Sequence, residues 1–317
     1  MGKSKQGLLL FLKGMAMGGA DVVPGVSGGT IAFITGIYEE LLNSIQSFDL
    51  TALKLLFKFK IGEFWKYING NFLIILLSGI VLSLITLSRI TLVLLELFPI
   101  HVWSFFFGLI IISAIIVARE ITKWKAEVYI AGFIGIAIAF FISIATPAET
   151  PTNVGFVFLS GALAICAMIL PGISGAFILL ILGKYEYILN ALRVFNINVI
   201  IIFILGCIVG LLSFAKVISW LLKHYYNLTI ALLAGFMIGS LNKIWPWKVV
   251  TLYRLDSRGI PVPLIDKNVL PTQYTEHTGI EPHIMGAIIF MLLGIALVFF
   301  IDKFASKKTT TLAKARR

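Results

Sequence analysis

The chain has 317 residues, of which 59% are hydrophobic and only 13% are charged, and its mean hydropathy is +1.00. A soluble domain carries about a quarter charged residues and could not bury this much apolar surface in one core. The net charge of +11 comes mostly from basic residues that separate apolar runs, which is typical of membrane proteins. The composition therefore predicts an all-α polytopic membrane protein that binds no nucleic acid.

In chain order, the first apolar stretch is interrupted by Asp-Val-Val-Pro-Gly-Val-Ser-Gly-Gly-Thr at residues 21–30, here called the first break. Proline removes a backbone donor and glycine permits strained geometry, so a re-entrant helical hairpin is predicted at about 7–42. A similar interruption, Met-Ile-Leu-Pro-Gly-Ile-Ser-Gly at residues 168–175, is called the second break. Six further runs approach the ~20 apolar residues of a spanning helix. They are Phe72–Ser88, Val102–Ala118, Val128–Ala145, Val199–Ala215, Leu228–Leu241 and Ile284–Ile301.

An internal repeat relates the two breaks. Residues 14–45 align with residues 161–192 at a constant offset of 147, and 13 of the 32 positions are identical. Many of the identities are Gly, Pro, Ser, Glu or Asn, which shared apolar composition does not explain. Weaker similarity continues at an offset of 127, where Arg89 faces Lys216. Each half is therefore predicted to contain a broken hairpin followed by two transmembrane helices.

The basic residues predict the orientation of the chain. They place the N-terminus, residues 43–70, residues 119–125 and the C-terminal tail in the cytoplasm, with the chain in an inner membrane. The second hairpin then enters from the side opposite to the first, which makes the halves inverted repeats. The predicted organisation is a first repeat (1–125), a linking transmembrane helix (126–153), a second inverted repeat (154–245), an external loop (246–283), and a last helix with a basic tail (284–317).

Opposed broken helices in inverted repeats are a known design for a transport site at the membrane midplane. Free amides and the positive end of a helix dipole suit an anionic group such as phosphate. The alternative is a pair of kinked helices packed through small residues. The predicted binding residues are Gly25, Ser27, Gly28, Gly29, Thr30, Gly172, Ser174, Gly175, Arg89 and Lys216.

Charged residues inside apolar runs are candidates for function. Arg89 and Lys216 are placed to bind a phosphate from opposite sides, or else they extend to the membrane interface. Asp21, Glu39 and Glu186 are the candidates for coupling to a proton or ion. For Asp21 the alternative is that it caps a helix, and for the two glutamates it is solvation at the interface.

An enzyme is a weaker interpretation. Both breaks contain the Gly-x-Ser-Gly pattern of rhomboid-type intramembrane serine proteases, but that chemistry needs a histidine close to the serine. The four histidines, His101, His224, His277 and His283, lie near predicted helix ends or in the external loop. Cys166 and Cys207 lack metal-binding spacing, and there is no Walker-type nucleotide motif. We therefore expect no enzyme activity, no cofactor and no metal site.

Residues 18–32 together with the second break resemble the bacterial polyprenyl-phosphate transporter family of the PopT type, formerly a domain of unknown function. The resemblance covers nearly the whole chain. It implies a flippase that returns undecaprenyl phosphate from the outer to the inner leaflet for cell-envelope polymer synthesis. We expect alternating access, with the headgroup at the two breaks and membrane lipids around the protein. The alternatives are a transporter or channel for a small soluble anion and, less favoured, a protease or a non-transporting scaffold. The oligomeric state is left open.

Overall fold

The computed structural model describes residues 3–22, 26–148, 150–255 and 261–315, and it confirms an all-α membrane architecture. Pro24 and Gly25 of the first break lie outside the described residues. The helices of the first half are α1 (Lys3–Asp21), α2 (Gly28–Ile34), α3 (Tyr38–Gln46), α4 (Leu50–Phe57), α5 (Ile61–Tyr67), α6 (Gly70–Leu97), α7 (Pro99–Arg119) and α8 (Ala126–Ile144).

The second half repeats this order with two differences. Nothing corresponds to α4 and α5 in its described residues, and an insertion of a small antiparallel hairpin and a short helix precedes its last helix. Its elements are α9 (Val154–Ile169), α10 (Gly175–Ile181), α11 (Tyr185–Arg193), α12 (Ile197–His224), α13 (Tyr226–Ser240), β1 (Lys248–Leu255), β2 (Pro261–Asn268), α14 (Pro271–Thr278) and α15 (Ile284–Ala315).

Several helices are suited to the hydrocarbon layer. Among the described residues, α6, α7, α8, α12 and α15 are long and apolar enough to cross a membrane, while α9 and α13 are shorter apolar helices. Helices α10 and α11 form a pair bent by 106°, as a broken span or re-entrant loop would be. All six apolar runs named from the sequence lie within helices, except that Ala145 and Leu241, the last residues of two runs, lie just beyond the helix ends. The prediction of these helices is therefore confirmed.

The backbone of the two halves matches at the offsets found in the sequence. Helices α2 and α10 each have 7 residues, α3 and α11 each have 9, and α6 and α12 each have 28. Gly36 and Gly183, which end the short half-helices, both have left-handed φ values, +69° and +63°. Phe98 and Tyr225, which end the 28-residue helices, have φ values of −133° and −132°. The repeat is therefore structural as well as sequential.

Four pairs of helices pack backbone to backbone through glycines, as membrane helices do where small residues allow close approach. In α1/α6 the contact is at Gly14 and Gly79, and in α9/α12 at Gly161 and Gly206. The last helix of each half packs on the other half. Thus α15 packs on α7 through Gly294 and Gly108, and α8 packs on α13 through Gly135 and Gly235. The two halves are consequently interleaved.

Each of these four pairs is parallel. In α1/α6, Gly7 lies beside Ile75 and Gly18 beside Ile80, so position along one helix increases with position along the other. The same ordering holds in α9/α12, where Gly161 contacts Phe203 and the Cys166 thiol lies 3.6 Å from the carbonyl of Gly210. The two cysteines are free thiols in this contact.

The β-hairpin was not predicted, because the external segment was interpreted only as a loop. It is fixed to the starts of α7 and α15 by a small apolar cluster of Ile100, Trp247, Tyr274 and Ala287. The indole N–H of Trp247 donates to the carbonyl of Pro282 at 2.8 Å. The segment between α13 and α15 is thus held on the ends of two membrane helices.

Candidate functional site

The two breaks contact each other directly in the interior of the protein. The Ser27 hydroxyl donates to the carbonyl of Met168 at 2.9 Å, and the backbone N–H of Gly172 donates to the Thr30 hydroxyl at 3.1 Å. Ser27 and Thr30 are fully buried, and Ser174 is 7% exposed. The fold therefore brings Ser27 and Thr30 of the first repeat into contact with the second break.

The first turn of α2 is capped by the chain itself. Ser27 precedes the helix in an extended conformation and accepts a hydrogen bond from the backbone N–H of Gly29 at 3.0 Å, which is an ordinary N-cap. The Asp21 carboxylate accepts a second bond, 2.6 Å long, from the N–H of Gly28. This is the arrangement that the capping alternative predicts for Asp21. An anion at the start of α2 would occupy the position now held by the Asp21 carboxylate.

The first turn of α10 is arranged differently. Met168 stands where the first repeat has Asp21, and Ser174 makes no capping hydrogen bond to α10 in the described structure. Gly172 has a φ of +85°, and a Cβ there would lie 2.9 Å from the Ser240 hydroxyl and 3.0 Å from the Met237 Cα. Only glycine fits this position. The two half-helix starts are therefore equivalent in backbone but unequal in charge.

The remaining glycines permit close packing of the breaks. A Cβ on Gly29 would overlap the carbonyl of Ile169, and one on Gly175 would lie 2.5 Å from the carbonyl of Ala164. Packing through small residues was the structural alternative for these positions. The geometry accommodates it, because both glycines face backbone of a neighbouring segment.

Of the two predicted cations, Lys216 is the one whose side chain the structure describes. Lys216 is exposed on α12. Arg89 occupies the corresponding place in α6, but its side chain lies outside the described part of the structure. The predicted role of this pair at a phosphate stays untested.

Two other lysines contact the half-helix region, and the sequence did not predict these contacts. The Lys13 ammonium donates to the carbonyl of Thr35, the last cap of α2, at 2.6 Å. The fully buried Lys184, two residues after the end cap of α10, donates to the carbonyl of Thr150 at 2.5 Å. A cation near the C-terminal end of a helix is favoured by the helix dipole. The sequence did contain a signal for these two contacts. Lys13 is a charged residue inside an apolar run, and Lys184 lies within the repeated Gly-x-Tyr-Glu motif.

The two matched glutamates lie away from the central contact. Glu39 is exposed in the first turn of α3, and Glu186 is half-buried in the first turn of α11. A carboxylate in the first turn stabilises a helix. Their positions agree with interfacial solvation, and a coupling role stays a prediction.

Comparison with known proteins identifies relatives along almost the whole chain. A family model described as undecaprenyl phosphate translocase-like matches residues 17–262, which include both breaks. A polyprenyl-phosphate transporter of Vibrio cholerae is 44% identical over 306 residues, covering 96% of this chain and 99% of the relative. A polyprenyl-phosphate transporter of Staphylococcus aureus is 34% identical over 254 residues, covering 74% of this chain and 85% of the relative. No solved structure matches the chain significantly.

Proposed function

The chain belongs to the undecaprenyl phosphate translocase-like family, and from this premise we propose that it transports a polyprenyl phosphate across the bacterial cytoplasmic membrane. The observation that carries the proposal is the near full-length match to a relative named polyprenyl-phosphate transporter. The family and both relatives are named for translocation or transport, in agreement with the prediction that the chain is not an enzyme. The proposed direction is from the outer to the inner leaflet.

Contacts between helices support the inverted arrangement. The backbone N–H of Thr122, just after α7, donates to the Asn227 side chain at 3.0 Å, so α13 begins at the end of the membrane where α7 finishes. Helix α6 ends at Phe98, where α7 begins, and α12 ends at Tyr225, where α13 begins. Helices α6 and α12 therefore run in opposite directions in the proposed topology, and their parallel partners α1 and α9 do so too.

The sides of the membrane follow from the charges. Arg119, Lys123 and Lys125 mark the end of α7 as cytoplasmic. The start of α7 and the β-hairpin then face outward, while both termini lie inside. In this topology the first broken hairpin is entered from the cytoplasm and the second from the outer face, as alternating access requires.

The closed contact between the breaks is an occluded state in this proposal. A phosphate group cannot cross an apolar layer without partners, since burying an uncompensated charge is very costly. Separation of Ser27 from Met168, and of Thr30 from Gly172, would expose backbone amides and hydroxyls to a headgroup while the prenyl chain stays in lipid. The occluded contact would then re-form after the headgroup leaves.

Asp21 is the proposed coupling group. Its carboxylate is hydrogen-bonded to the first amide of α2, so an incoming phosphate and the carboxylate compete for one position. Protonation of Asp21 would weaken that bond and remove the like charge. An inward proton flux would thereby favour loading of the headgroup.

Transport is tested with the full chain in liposomes that contain a fluorescent polyprenyl phosphate, by chemical quenching of the outer leaflet. The protein should speed the exchange of label between leaflets relative to protein-free liposomes, and an imposed gradient should bias it. No acceleration under any gradient would overturn the proposal. Flux of entrapped inorganic phosphate without exchange of the lipid would favour the soluble-anion alternative.

A further inference from the structure

A cavity of about 200 Å³ lies under the β-hairpin, at residues that no part of the proposed headgroup site includes. It is lined by the end of α8 and the residues after it, by α10, by the residues after α13 and by β2. On one side its lining is apolar, and on the other it is polar. The residues are Ser143, Ile144, Ala145, Thr146, Pro147, Phe177, Leu180, Asn242, Lys243, Ile265, Asp266, Lys267 and Asn268.

The cavity carries an excess of positive charge. Lys243 and Lys267 both line it, together with a single carboxylate, Asp266. The Lys243 ammonium lies 2.9 Å from Oδ1 of that carboxylate, and the Lys248 ammonium lies 3.6 Å from its Oδ2. Lys243 and Lys248 thus contact the one acid, and Lys267 brings a second ammonium to the lining. A phosphate monoester would balance the excess through charge-assisted hydrogen bonds, which are the strong kind.

The polar wall is held in place by a network of side-chain amides. Asn268 donates to the backbone and side-chain oxygens of Asn242 at 2.7 and 2.9 Å, and Asn242 donates to the Ser143 hydroxyl at 2.8 Å. This network joins β2 to the ends of α13 and α8. The cavity is therefore built from fixed elements rather than from one mobile loop.

The apolar wall connects the cavity to the second break. The Lys243 ammonium lies 4.7 Å from the centre of the Phe177 ring. Phe177 belongs to α10, which begins directly after Ser174. Leu180 lies one turn further along the same half-helix. A ligand in the cavity would consequently touch the half-helix that starts at the proposed transport site.

We propose that this cavity is the entry site for the phosphate headgroup of an isoprenoid lipid in the outer leaflet, with Lys243 and Lys267 as its phosphate ligands. The inference rests on the proposed function, because the outward orientation of the β-hairpin comes from the proposed topology. Phe177, Leu180 and Ile265 supply apolar surface for the first isoprene units. Free phosphate has the same headgroup chemistry and lacks only the chain, so the test must separate the two.

The test uses the full chain in nanodiscs of a zwitterionic lipid, titrated calorimetrically with farnesyl phosphate, farnesol and inorganic phosphate. Lys267→Gln alters an exposed side chain and should weaken binding of farnesyl phosphate by about tenfold, as loss of one charged partner does. Lys243→Gln should weaken it at least as much. The matched control is Lys223→Gln, an exposed lysine at the end of α12 that the proposed topology places on the cytoplasmic side.

The outcomes separate the entry site from the function on which it rests. Unchanged binding in Lys267→Gln and Lys243→Gln, or an equal loss in Lys223→Gln, would overturn the entry site. Inorganic phosphate that binds as tightly as farnesyl phosphate would overturn its assignment to a lipid. Wild-type protein that binds through these lysines but exchanges no lipid would refute the proposed function and leave the binding site standing. Normal lipid transport, together with farnesyl phosphate binding that the lysine substitutions do not weaken, would overturn the entry site and leave the proposed function standing.

Discussion

Thr30 in the first break accepts a hydrogen bond from the backbone N–H of Gly172 in the second, at 3.1 Å, although 142 residues separate them in the chain. Both residues are buried. A buried backbone N–H that loses its partner costs roughly 1–3 kcal/mol. This bond therefore stabilises the closed contact between the repeats, and it must open if a headgroup is to pass between the breaks.

Thr30→Val should destabilise the closed contact by about 1–3 kcal/mol, because valine keeps the shape of threonine but cannot accept the Gly172 N–H. Urea unfolding in detergent micelles measures the change. Thr30→Ser, which retains a hydroxyl, is the matched control and should lose less. Equal stability of the valine variant and the wild-type protein would mean that this bond contributes nothing to the fold.

Asp21→Asn should remove the dependence of lipid transport on an imposed pH gradient, because asparagine still accepts the Gly28 N–H but cannot take up a proton. The readout is leaflet exchange of a fluorescent polyprenyl phosphate with and without the gradient. Glu63→Gln, at an exposed carboxylate of the same repeat that was not a coupling candidate, is the control and should keep the dependence. A gradient response that survives in Asp21→Asn would exclude Asp21 as the coupling group.

Gly172→Ala should lower the free energy of unfolding by about 1–3 kcal/mol, because an L residue is strained at a φ of +85° and its Cβ would crowd Ser240. Thermal unfolding followed by circular dichroism measures the loss. Gly62 provides the comparison, since a Cβ there meets nothing within 4 Å. Gly62→Ala lies inside α5 and should be neutral or stabilising by up to about 1 kcal/mol. A Gly172→Ala variant as stable as Gly62→Ala would contradict the strain at this turn.

The stability of the β-hairpin should rise between pH 7 and pH 10. Burial lowers the pKa of Lys248 to about 7, an effect that attraction to Asp266 only partly offsets. Within this window the unfolded hairpin binds more protons than the folded one, so folding is favoured as the pH rises. Hydrogen exchange at the backbone amides of β1 and β2 measures the change.

Acid should weaken the same hairpin. Burial on its own would raise the pKa of Asp266, but the attraction of Lys248 and Lys243 outweighs it and the net pKa is lowered. The stabilisation from the carboxylate is thus present above its ordinary pKa and is lost as the pH falls through the lowered value.

The Lys248→Met variant tests the alkaline prediction. In this variant the gain in hairpin stability between pH 7 and pH 10 should disappear. Its persistence would show that another group is responsible.

Much of the architecture was predictable because it depends on local properties. Apolar length defines the membrane helices, and Pro and Gly in an apolar run define a break. The repeat was visible because equivalent residues such as Gly36 and Gly183 are required by the same backbone turn. The short helices α4 and α5 and the β-hairpin were missed, since short polar-flanked segments carry little periodic signal.

The sequence by itself determined that this protein lies in a lipid membrane, that it contains a repeated unit, and where its two helix breaks occur. These features follow from composition and backbone sterics. Only the tertiary structure decided what the breaks contact. It placed Asp21 on the first amide of α2, joined Thr30 to Gly172, and packed the last helix of each half on the other half. It also brought Lys243 and Asp266 to the lining of one cavity. These contacts join residues far apart in the chain, and no local periodicity encodes such a partner.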